Sequence, residues 1–268
     1  MKVSESGYYR WKKNKISSHK KRDQYLGSKI SSIYKSVKGR YGSPRIRSAL
    51  KDEGEYVSLR RIQRLMKERG LQSQIKHKYK TTTVRDNHAK ASPNLLNKNF
   101  IVQHPNHVWV SDITYIQTQE GWLYLVVILD LFARKIVGWQ TSNSLKKEFV
   151  IESFIKAYWK RKPNKGLIFH SDRGTQYTSK DFQDTLKNCD TVSSMSSSGN
   201  CYDNAVAESF FHSLKNELKI NKIYKTREEG RDAIFEYIET FYNPIRKHST
   251  LNYLSPNQFE KNYVAYVS

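Results

Sequence analysis

Alternating apolar and polar residues predict several strands in the second half of the chain. Residues 108–116, VWVSDITYI, alternate in the way a half-buried strand does. Turn signals at 118–121 and 133–134 separate the first three runs, so we expect an antiparallel meander. The predicted strands cover 108–116, 122–130, 135–141, 167–171 and 191–195.

Apolar residues recur at helical intervals between the later strands and after them. A helix at 145–161 is long enough to serve as a crossover, which lets the fourth strand lie parallel to the first. That arrangement would bring Asp112 on the first strand beside Asp172 at the end of the fourth, and a later helix could carry Glu208 to both. The order predicts an α/β, ribonuclease-H-like fold with a five-stranded mixed sheet. The predicted helices cover 145–161, 179–188, 204–219 and 227–242.

The first eighty residues show helical spacing without strands. Ser43 is a plausible N-cap, with Pro44 in the first turn, and Ser58 caps a last helix that Gly70 ends. The last two helices resemble a helix-turn-helix, whose second helix enters the major groove of DNA. A plain helical bundle with a solvated basic face is the alternative. The predicted helices cover 23–37, 45–51 and 59–69.

Charge is distributed unevenly along the chain. Residues 1–100 contain 26 Lys and Arg against 7 Asp and Glu, a net of +19, whereas residues 101–268 have a net of only +3. A basic excess concentrated in this way is typical of a phosphate-binding module. The candidate DNA contacts on the last helix are Arg60, Arg61, Arg64 and Lys67.

These patterns divide the chain into three parts. We predict a basic helical DNA-binding region at 1–80, a linker at 81–99 and the ribonuclease-H-like catalytic domain at 100–268. The longest apolar run, 123–129, is too short to span a bilayer, and the two cysteines provide no disulfide framework. We therefore expect a cytoplasmic protein with no membrane contact.

Three carboxylates indicate the chemistry. Asp112 and Asp172 come from strand positions and Glu208 from a helix, so they can converge on divalent metal, which prefers hard oxygen ligands. A pair of such ions can activate a water or a hydroxyl and stabilise the leaving oxygen of a phosphodiester. On a chain with a net charge of +22, this combination points to nucleic acid as the substrate.

Collinear motifs over nearly the whole chain resemble a known family. They are SGYY at 6–9, YGSPRI at 41–46, WVSDITYI at 109–116, LDLFARKIVGW at 129–139, HSDRGTQYT at 170–178, GNCYDNA at 199–205, ESFF at 208–211, LK at 214–215 and the tail at 242–256. The chain resembles the second-frame (OrfB) product of IS-three-type insertion sequences, a group of DDE transposases related to retroviral integrases. Thirty-five residues separate Asp172 from Glu208, which is the spacing of that family's acidic motif.

The resemblance implies a transposase that uses two Mg²⁺ or Mn²⁺ ions. Asp112 and Asp172 would bridge or bind the ions, and Glu208 would complete the second. Water would cleave a phosphodiester at the transposon end, and the freed 3′-hydroxyl would attack a second one. The implied partners are double-stranded DNA of the element ends and the target, further copies of the chain on that DNA, and the protein of the upstream frame, by fusion or cooperation.

The sequence leaves the roles of several other residues open. Lys215 is either a surface lysine or, as the resemblance implies, a DNA contact, and Arg173 either contacts DNA or screens the acids. We expect Asp130 to be structural and Asp203 to cap the Glu208 helix. The aromatic side chains Trp109, Trp122 and Trp139 are expected in the core. The tail residues Asn243, Arg246 and His248 match the family motif without a role that the sequence assigns.

Two other functions are compatible with the same pattern. A ribonuclease-H-like nuclease would cut without joining, although the basic helices and the whole-chain match argue against it. A DNA-binding subunit with an idle catalytic domain is the other alternative, and the complete acidic triad argues against that.

Overall fold

Two units with separate cores make up the chain, Met1–Ile75 and Lys76–Ser268. The structure is a computed structural model that describes residues 4–13, 16–73, 92–96, 100–197, 205–218 and 223–267. Cys201 and Asp203 lie outside the described residues, so the predicted cap at Asp203 stays a prediction. No helix among the described residues is long and apolar enough to cross a membrane.

The first unit is helical throughout its described residues. Its helices are α1 (Glu5–Lys13), α2 (Ser18–Ser36), α3 (Ser43–Asp52) and α4 (Leu59–Glu68). The last three pack around a small apolar core that includes Leu26, Ile46 and Leu65, all fully buried. The two-helix pattern at α3 and α4 is therefore present, with helix α2 packed against both.

Helix ends in this unit test the capping predictions. The Ser58 side chain accepts a hydrogen bond from the Arg61 amide, and Gly70, at φ +64°, follows the end of α4, so both predictions are confirmed. The prediction for Ser43 was wrong. Ser43 is already the first helical residue, and the N-cap is Gly42, which offers no side-chain acceptor. Pro44 supplies the preset φ angle of the first turn instead.

Helix α2 also begins earlier than predicted, at Ser18 rather than at residue 23. The Ser17 hydroxyl caps it by accepting from the Lys20 amide. Residues 18–22 are polar and exposed, so no apolar periodicity reveals that they are helical. Helix α1 was not predicted either, and its aromatic residues Tyr8, Tyr9 and Trp11 are exposed.

A five-stranded sheet forms the centre of the second unit. Its strands are β1 (Val108–Thr118), β2 (Gly121–Asp130), β3 (Lys135–Ser142), β4 (Ile168–Ser171) and β5 (Val192–Met195), in the order β3-β2-β1-β4-β5. The first three strands are antiparallel, whereas β4 runs parallel to β1, and β5 parallel to β4. The predicted meander, the crossover and the parallel fourth strand are all confirmed.

Helices cover the sheet and continue past it. They are α5 (Lys147–Arg161), α6 (Thr175–Thr178), α7 (Lys180–Asn188), α8 (Ala205–Glu217), α9 (Arg227–Phe235), which continues as a π-helix over Glu236–Tyr242, and α10 (Pro256–Val267). Phe154 of α5 packs against Trp109 and Phe169 of the sheet, and all three side chains are buried. This aromatic core fixes the crossover helix against one face of β1 and β4.

The end of the predicted linker is part of the second unit. The Met195 amide donates to Pro93 O at 3.3 Å, and the Leu95 amide donates to Ser194 Oγ at 3.0 Å. Leu96 is buried as well. Residues 92–96 thus lie along edge strand β5, while 81–91 and 97–99 are outside the described residues, and the 81–99 boundaries stay a prediction.

Candidate active site

Asp112 and Asp172 occupy equivalent positions on two neighbouring parallel strands. β1 and β4 pair from Val108 with Ile168 to Val110 with His170, and each acid follows the last of these pairs by two residues. Both carboxylates therefore lie at the same edge, beyond the end of β4. Because β4 is only four residues long, β1 extends past it and leaves space beside Asp112.

Backbone amides orient the two aspartates. The Ile113 amide donates to Asp112 Oδ1 at 2.7 Å, and the Gly174 amide donates to Asp172 Oδ1 at 2.9 Å. A Cβ on Gly174 would lie 3.0 Å from that same Asp172 oxygen. A side chain at position 174 would therefore press on the Asp172 carboxylate, which would have to shift by a few tenths of an ångström.

Helix α8 brings Glu208 to this edge. Ala207, Phe210 and Leu214 form its buried face, and the helix packs against β1. Glu208, in the first turn, is exposed. Partial desolvation raises the pKa of its carboxyl group.

The electrostatics of Asp112 show that the three acids share one neighbourhood. Burial is the main cause that raises the pKa of Asp112 well above its usual value, and the negative charge of Asp172 adds to it. Glu208 also raises this pKa, while the Ile113 amide and Lys215 lower it. Asp112 is thus affected by the charges of both other acids, and the prediction that the three form one catalytic site stays a prediction.

Lys215 lies beside Asp112 rather than on an unrelated surface. Burial lowers the pKa of its half-buried ammonium group, and Asp112 opposes that shift. Its Nζ also lies 5.3 Å from the centroid of the Tyr115 ring, which stands edge-on to Trp122 at 4.9 Å.

Tyr115 and Trp122 are 49% and 44% exposed, so the prediction that Trp122 is a core residue was wrong. Trp122 occupies an exposed position near the start of β2, whereas Trp109 is fully buried.

Arg173 supports the segment that follows β5. Its Nε donates to Ser196 O at 2.9 Å, although the residue as a whole is exposed. The buried His170 ring lies within hydrogen-bond distance of Ser194 Oγ, at 2.9 Å, and of Ser196 Oγ, at 3.3 Å. This contact of Arg173 was not among the two roles considered from the sequence, because strand pairing alone brings Ser196 to it.

A buried hydroxyl pair behind the aspartates was not predicted. Tyr177 Oη lies 2.8 Å from Ser111 Oγ, which also donates to Val127 O at 2.8 Å. Burial raises the pKa of Tyr177 well above its usual value, and Asp112 and Asp172 add to the shift. The signal in the sequence was a tyrosine five residues after Asp172, but nothing along the chain linked it to Ser111.

The three carboxylates are suitable in kind for a divalent cation. All are hard oxygen donors, and the mutual charge effect on Asp112 is one that a bound cation would relieve. Among the described residues, however, no three His, Cys, Asp or Glu side chains are grouped closely enough to hold one metal ion.

The four basic residues predicted to contact DNA differ in their surroundings. Arg61 Nη2 and Arg64 Nη2 both pair with Asp23 of α2, at 2.7 and 2.6 Å, and Arg64 also pairs with Glu68. Arg60 and Lys67 are exposed and form no ion pair within the described part of the chain. Hydrogen bonds from Arg64 and Arg61 outweigh desolvation and lower the pKa of Asp23 to about 2.

Asp130 has the surroundings of a structural carboxylate. It is fully buried, accepts from the amides of Asn106 at 2.8 Å and Phe132 at 3.0 Å, and lies 3.6 Å from Arg161. Burial raises its pKa to about 6. Asp130 is thus bound to its own turn and to helix α5, which agrees with its predicted structural role.

Family models match three successive parts of the chain. An HTH-like domain matches residues 21–79, and two models described as integrase core domains match 102–201 and 208–263. Solved structures match the chain as well. A simian T-cell lymphotropic virus intasome in complex with a PP2A regulatory subunit matches at 15% identity and a TM-score of 0.50, over 86% of this chain and 74% of that chain. The HTLV-2 integrase catalytic core in complex with magnesium matches at 17% identity and a TM-score of 0.46, over 58% and 97%.

Curated relatives match over almost the full length. The transposase for insertion sequence element IS904 of Lactococcus lactis is 44% identical over 89% of this chain and 94% of its own. The transposase InsF for insertion sequence IS3A of Escherichia coli is 38% identical over 99% of this chain and 93% of its own. With the HTH-like and integrase core models in the same order, these matches show that the chain belongs to the IS3-type family of insertion-sequence transposases with an integrase catalytic core.

Proposed function

We propose that this transposase cuts DNA at the ends of its insertion sequence and joins the freed 3′-hydroxyl to a second phosphodiester. The observation that carries the proposal is the parallel register of β1 and β4, which places Asp112 and Asp172 at equivalent positions at one edge of the sheet, where the charges of Asp172 and Glu208 both act on Asp112. The negative charges of neighbouring acids disfavour each other's ionised form, and a bound cation would offset this effect. The names of the curated relatives, transposases of insertion sequences, support the same reaction.

Asp112, Asp172 and Glu208 are the proposed catalytic residues and metal ligands. Two Mg²⁺ or Mn²⁺ ions are proposed for each site, the first held by Asp112 and Asp172 and the second completed by Glu208. Bound ions would act as Lewis acids that activate the attacking oxygen and stabilise the leaving one. The backbone amides of Ile113 and Gly174 keep one oxygen of each aspartate in place, so the other oxygen is directed by the protein before any ion binds.

Lys215 is the proposed phosphate contact nearest the acids. Its ammonium group is half-buried between Asp112 and the exposed Tyr115 ring, where a DNA strand entering the site would meet it. A lysine in such a place binds a phosphate as a point charge. Arg173 is proposed to reach DNA through the part of its guanidinium group that Ser196 does not engage.

The first unit is proposed to bind double-stranded DNA through α4. Arg60 and Lys67 are exposed and carry charges that no acid of the described residues neutralises. Arg61 and Arg64 share Asp23, so their contact with DNA would have to coexist with that pairing. The net charge of +19 in residues 1–100 supports a phosphate-binding surface.

Two protein partners are proposed as well. Joining requires two element ends in one complex, so we propose that several copies of the chain assemble on DNA. Cooperation with, or fusion to, the protein of the upstream frame is proposed for recognition of the ends.

A cleavage and strand-transfer assay tests this function. Labelled DNA of the element's ends is incubated with the chain, alone and fused to its upstream frame, in Mg²⁺, Mn²⁺ or EDTA. We expect metal-dependent nicks and joined products. Glu208→Gln should abolish both, whereas Glu228→Gln, an exposed carboxylate on α9, should leave both unchanged.

The alternative outcomes separate the other functions. Nicks without joined products would favour a nuclease. Activity that survives in Glu208→Gln would refute the assignment of the triad. DNA binding without any cleavage, in every form and metal, would favour an idle subunit.

A further inference from the structure

Two buried polar contacts join the chain after the π-helix to opposite parts of the second unit. The first involves Asn243, whose Oδ1 accepts from the Ile136 amide and whose Nδ2 donates to Ile136 O, both at 3.0 Å. Ile136 belongs to β3, the edge strand of the sheet. The side-chain amide of Asn243 therefore forms the two hydrogen bonds that a neighbouring strand would form with Ile136. It attaches the segment after the π-helix to the sheet.

The second contact holds the end of the helix that carries Glu208. Arg246 Nε lies 3.0 and 2.9 Å from the two oxygens of Glu217, and its Nη2 lies 2.7 Å from Glu217 Oε1 and 3.0 Å from Ser213 Oγ. Tyr237 Oη donates to Glu217 Oε2 at 2.9 Å. The exposed fraction is 4% for Arg246 and 9% for Glu217. Arg246 thus binds the C-terminal part of α8 through buried hydrogen bonds to Glu217 and Ser213.

The contact between Arg246 and Glu217 bears on the active site because Glu217 and Glu208 lie on the same helix, α8. Glu208 and Glu217 are nine residues apart, which is about two and a half turns and places them on opposite sides of the helix. Because Glu217 is turned into the protein, Glu208 lies on the exposed side of α8, from which its charge acts on Asp112. The apolar contacts of Phe210 and Leu214 hold the helix in place, but such contacts are not directional and fix its rotation less well.

A buried ion pair of this kind is weak evidence for stability. Desolvation of both groups offsets much of their attraction, so an apolar pair of the same shape could hold the helix equally well. What an arginine–carboxylate pair adds is geometry, because the planar guanidinium group accepts only a few orientations of the carboxylate.

We propose that Arg246 is a positioning residue, which fixes the rotation of α8 through Glu217 and so sets where Glu208 stands relative to Asp112 and Asp172. Asn243 attaches the segment that carries Arg246 to β3, so the position of Arg246 is fixed relative to the sheet. The proposal rests on the proposed function, since it assumes that Glu208 is a metal ligand. It assigns a role to two tail residues that the sequence left without one.

The test compares two arginine variants in the full chain. Arg246→Lys keeps the charge but loses the two-pronged contact with Glu217. Arg161→Lys is the matched control, because Arg161 pairs with Glu260 inside the same unit and does not contact α8. Binding of Mn²⁺ without DNA is measured by electron paramagnetic resonance, together with melting temperature and end-DNA affinity.

We expect Arg246→Lys to fold cooperatively and bind end DNA normally, but to bind Mn²⁺ about 10-fold or more weakly, as substitutions behind metal ligands do. Arg161→Lys should lose as much melting temperature and keep its Mn²⁺ affinity. If Mn²⁺ affinity in both variants merely follows melting temperature, or if Arg246→Lys binds Mn²⁺ normally, the proposal is wrong. Glu217→Gln, which keeps the shape of the side chain, serves as second variant with the same expected loss should Arg246→Lys not fold.

Asp112→Asn and Glu208→Gln separate this inference from the proposed function. Both should lose Mn²⁺ binding if the acids are ligands. If they bind Mn²⁺ normally, the proposed function itself fails. If they lose binding while Arg246→Lys and Glu217→Gln do not, only the positioning role of Arg246 fails.

Discussion

Asp112 and Asp172 stand in register, each two residues beyond the strand pair formed by Val110 and His170. The parallel pairing of β1 with β4 thus brings together two acids that are sixty residues apart in the sequence. Backbone amides one or two residues further along the chain hold both carboxylates, which makes the local backbone conformation part of the site.

The close approach of Gly174 to Asp172 gives a first prediction. In Gly174→Ala the new methyl group would lie 3.0 Å from Asp172 Oδ1, so the carboxylate must shift by a few tenths of an ångström. We expect the rate of end cleavage to fall on the order of 10-fold, since small displacements of reacting groups are costly. Single-turnover kinetics at saturating Mg²⁺ would measure this.

Thr175→Ala is the matched control, because Thr175 is the next residue and is exposed. It should retain the wild-type rate. Equal rates for Gly174→Ala and Thr175→Ala would show that a methyl group at position 174 does not displace the Asp172 carboxylate from its working position.

Lys215 leads to a second prediction. Lys215→Ala should weaken binding of end DNA and flatten its salt dependence, with the slope of log K against log salt falling by about 1 for one lost phosphate contact. Fluorescence anisotropy over a salt series measures both quantities. Lys156→Ala is the control and should leave the slope unchanged, because Lys156 is an exposed lysine on α5 whose ammonium group contacts Gln140 and Glu152 of the second unit. An unaltered slope in Lys215→Ala would argue for a purely structural lysine.

Helix α4 gives a third prediction, which divides its four basic residues into two pairs. Arg60→Ala and Lys67→Ala should weaken DNA binding without a change in melting temperature, because both side chains are exposed and unpaired within the described residues. Arg61→Ala and Arg64→Ala should lower the melting temperature of the first unit, because each removes a partner of Asp23. Calorimetry and anisotropy on the same samples distinguish the two effects. The reverse pattern would place the DNA-binding face of α4 on the Asp23 side.

Asp130 gives a fourth prediction, for the pH dependence of stability. Its pKa is about 6 in the folded protein, against 3.8 for the ordinary carboxyl group, because burial disfavours the charge. The folded state therefore binds the proton more tightly than the unfolded state. The stability contributed by this group is complete below about pH 4 and is lost as pH rises through about 6.

Asp130→Asn removes this titration. At about 1.4 kcal/mol per pH unit, the stability of the wild type relative to Asp130→Asn should fall by at most about 3 kcal/mol between pH 4 and pH 7. A constant offset is expected in addition, since an asparagine side chain would offer one oxygen to the two amides from which Asp130 now accepts. Urea unfolding at several pH values measures the difference. A difference that stays constant with pH would mean that Asp130 is charged throughout.

Much of the fold was accessible from the sequence because it is encoded locally. Alternation along 108–116 and the turns after it predicted the meander, and the long helix before residue 167 predicted the crossover. The acids were identifiable because each lies in a distinctive motif, and the family shown by the comparisons agrees with the resemblance carried by those motifs. Helix α10 was missed because the apolar residues that anchor it, such as Phe259, pack against a distant turn at Phe132.

What the sequence alone determined is therefore the five strands, most of the helices, the three candidate acids and the basic excess of the first hundred residues. Those properties depend on periodicity, residue type and charge, which are visible along a single chain. Only the tertiary structure decided that Arg61 and Arg64 are engaged by Asp23, that Arg173 contacts Ser196, and that Arg246 reaches Glu217. Each of these contacts joins residues far apart in sequence, and the energy of a polar contact depends on distances and burial that no local pattern contains.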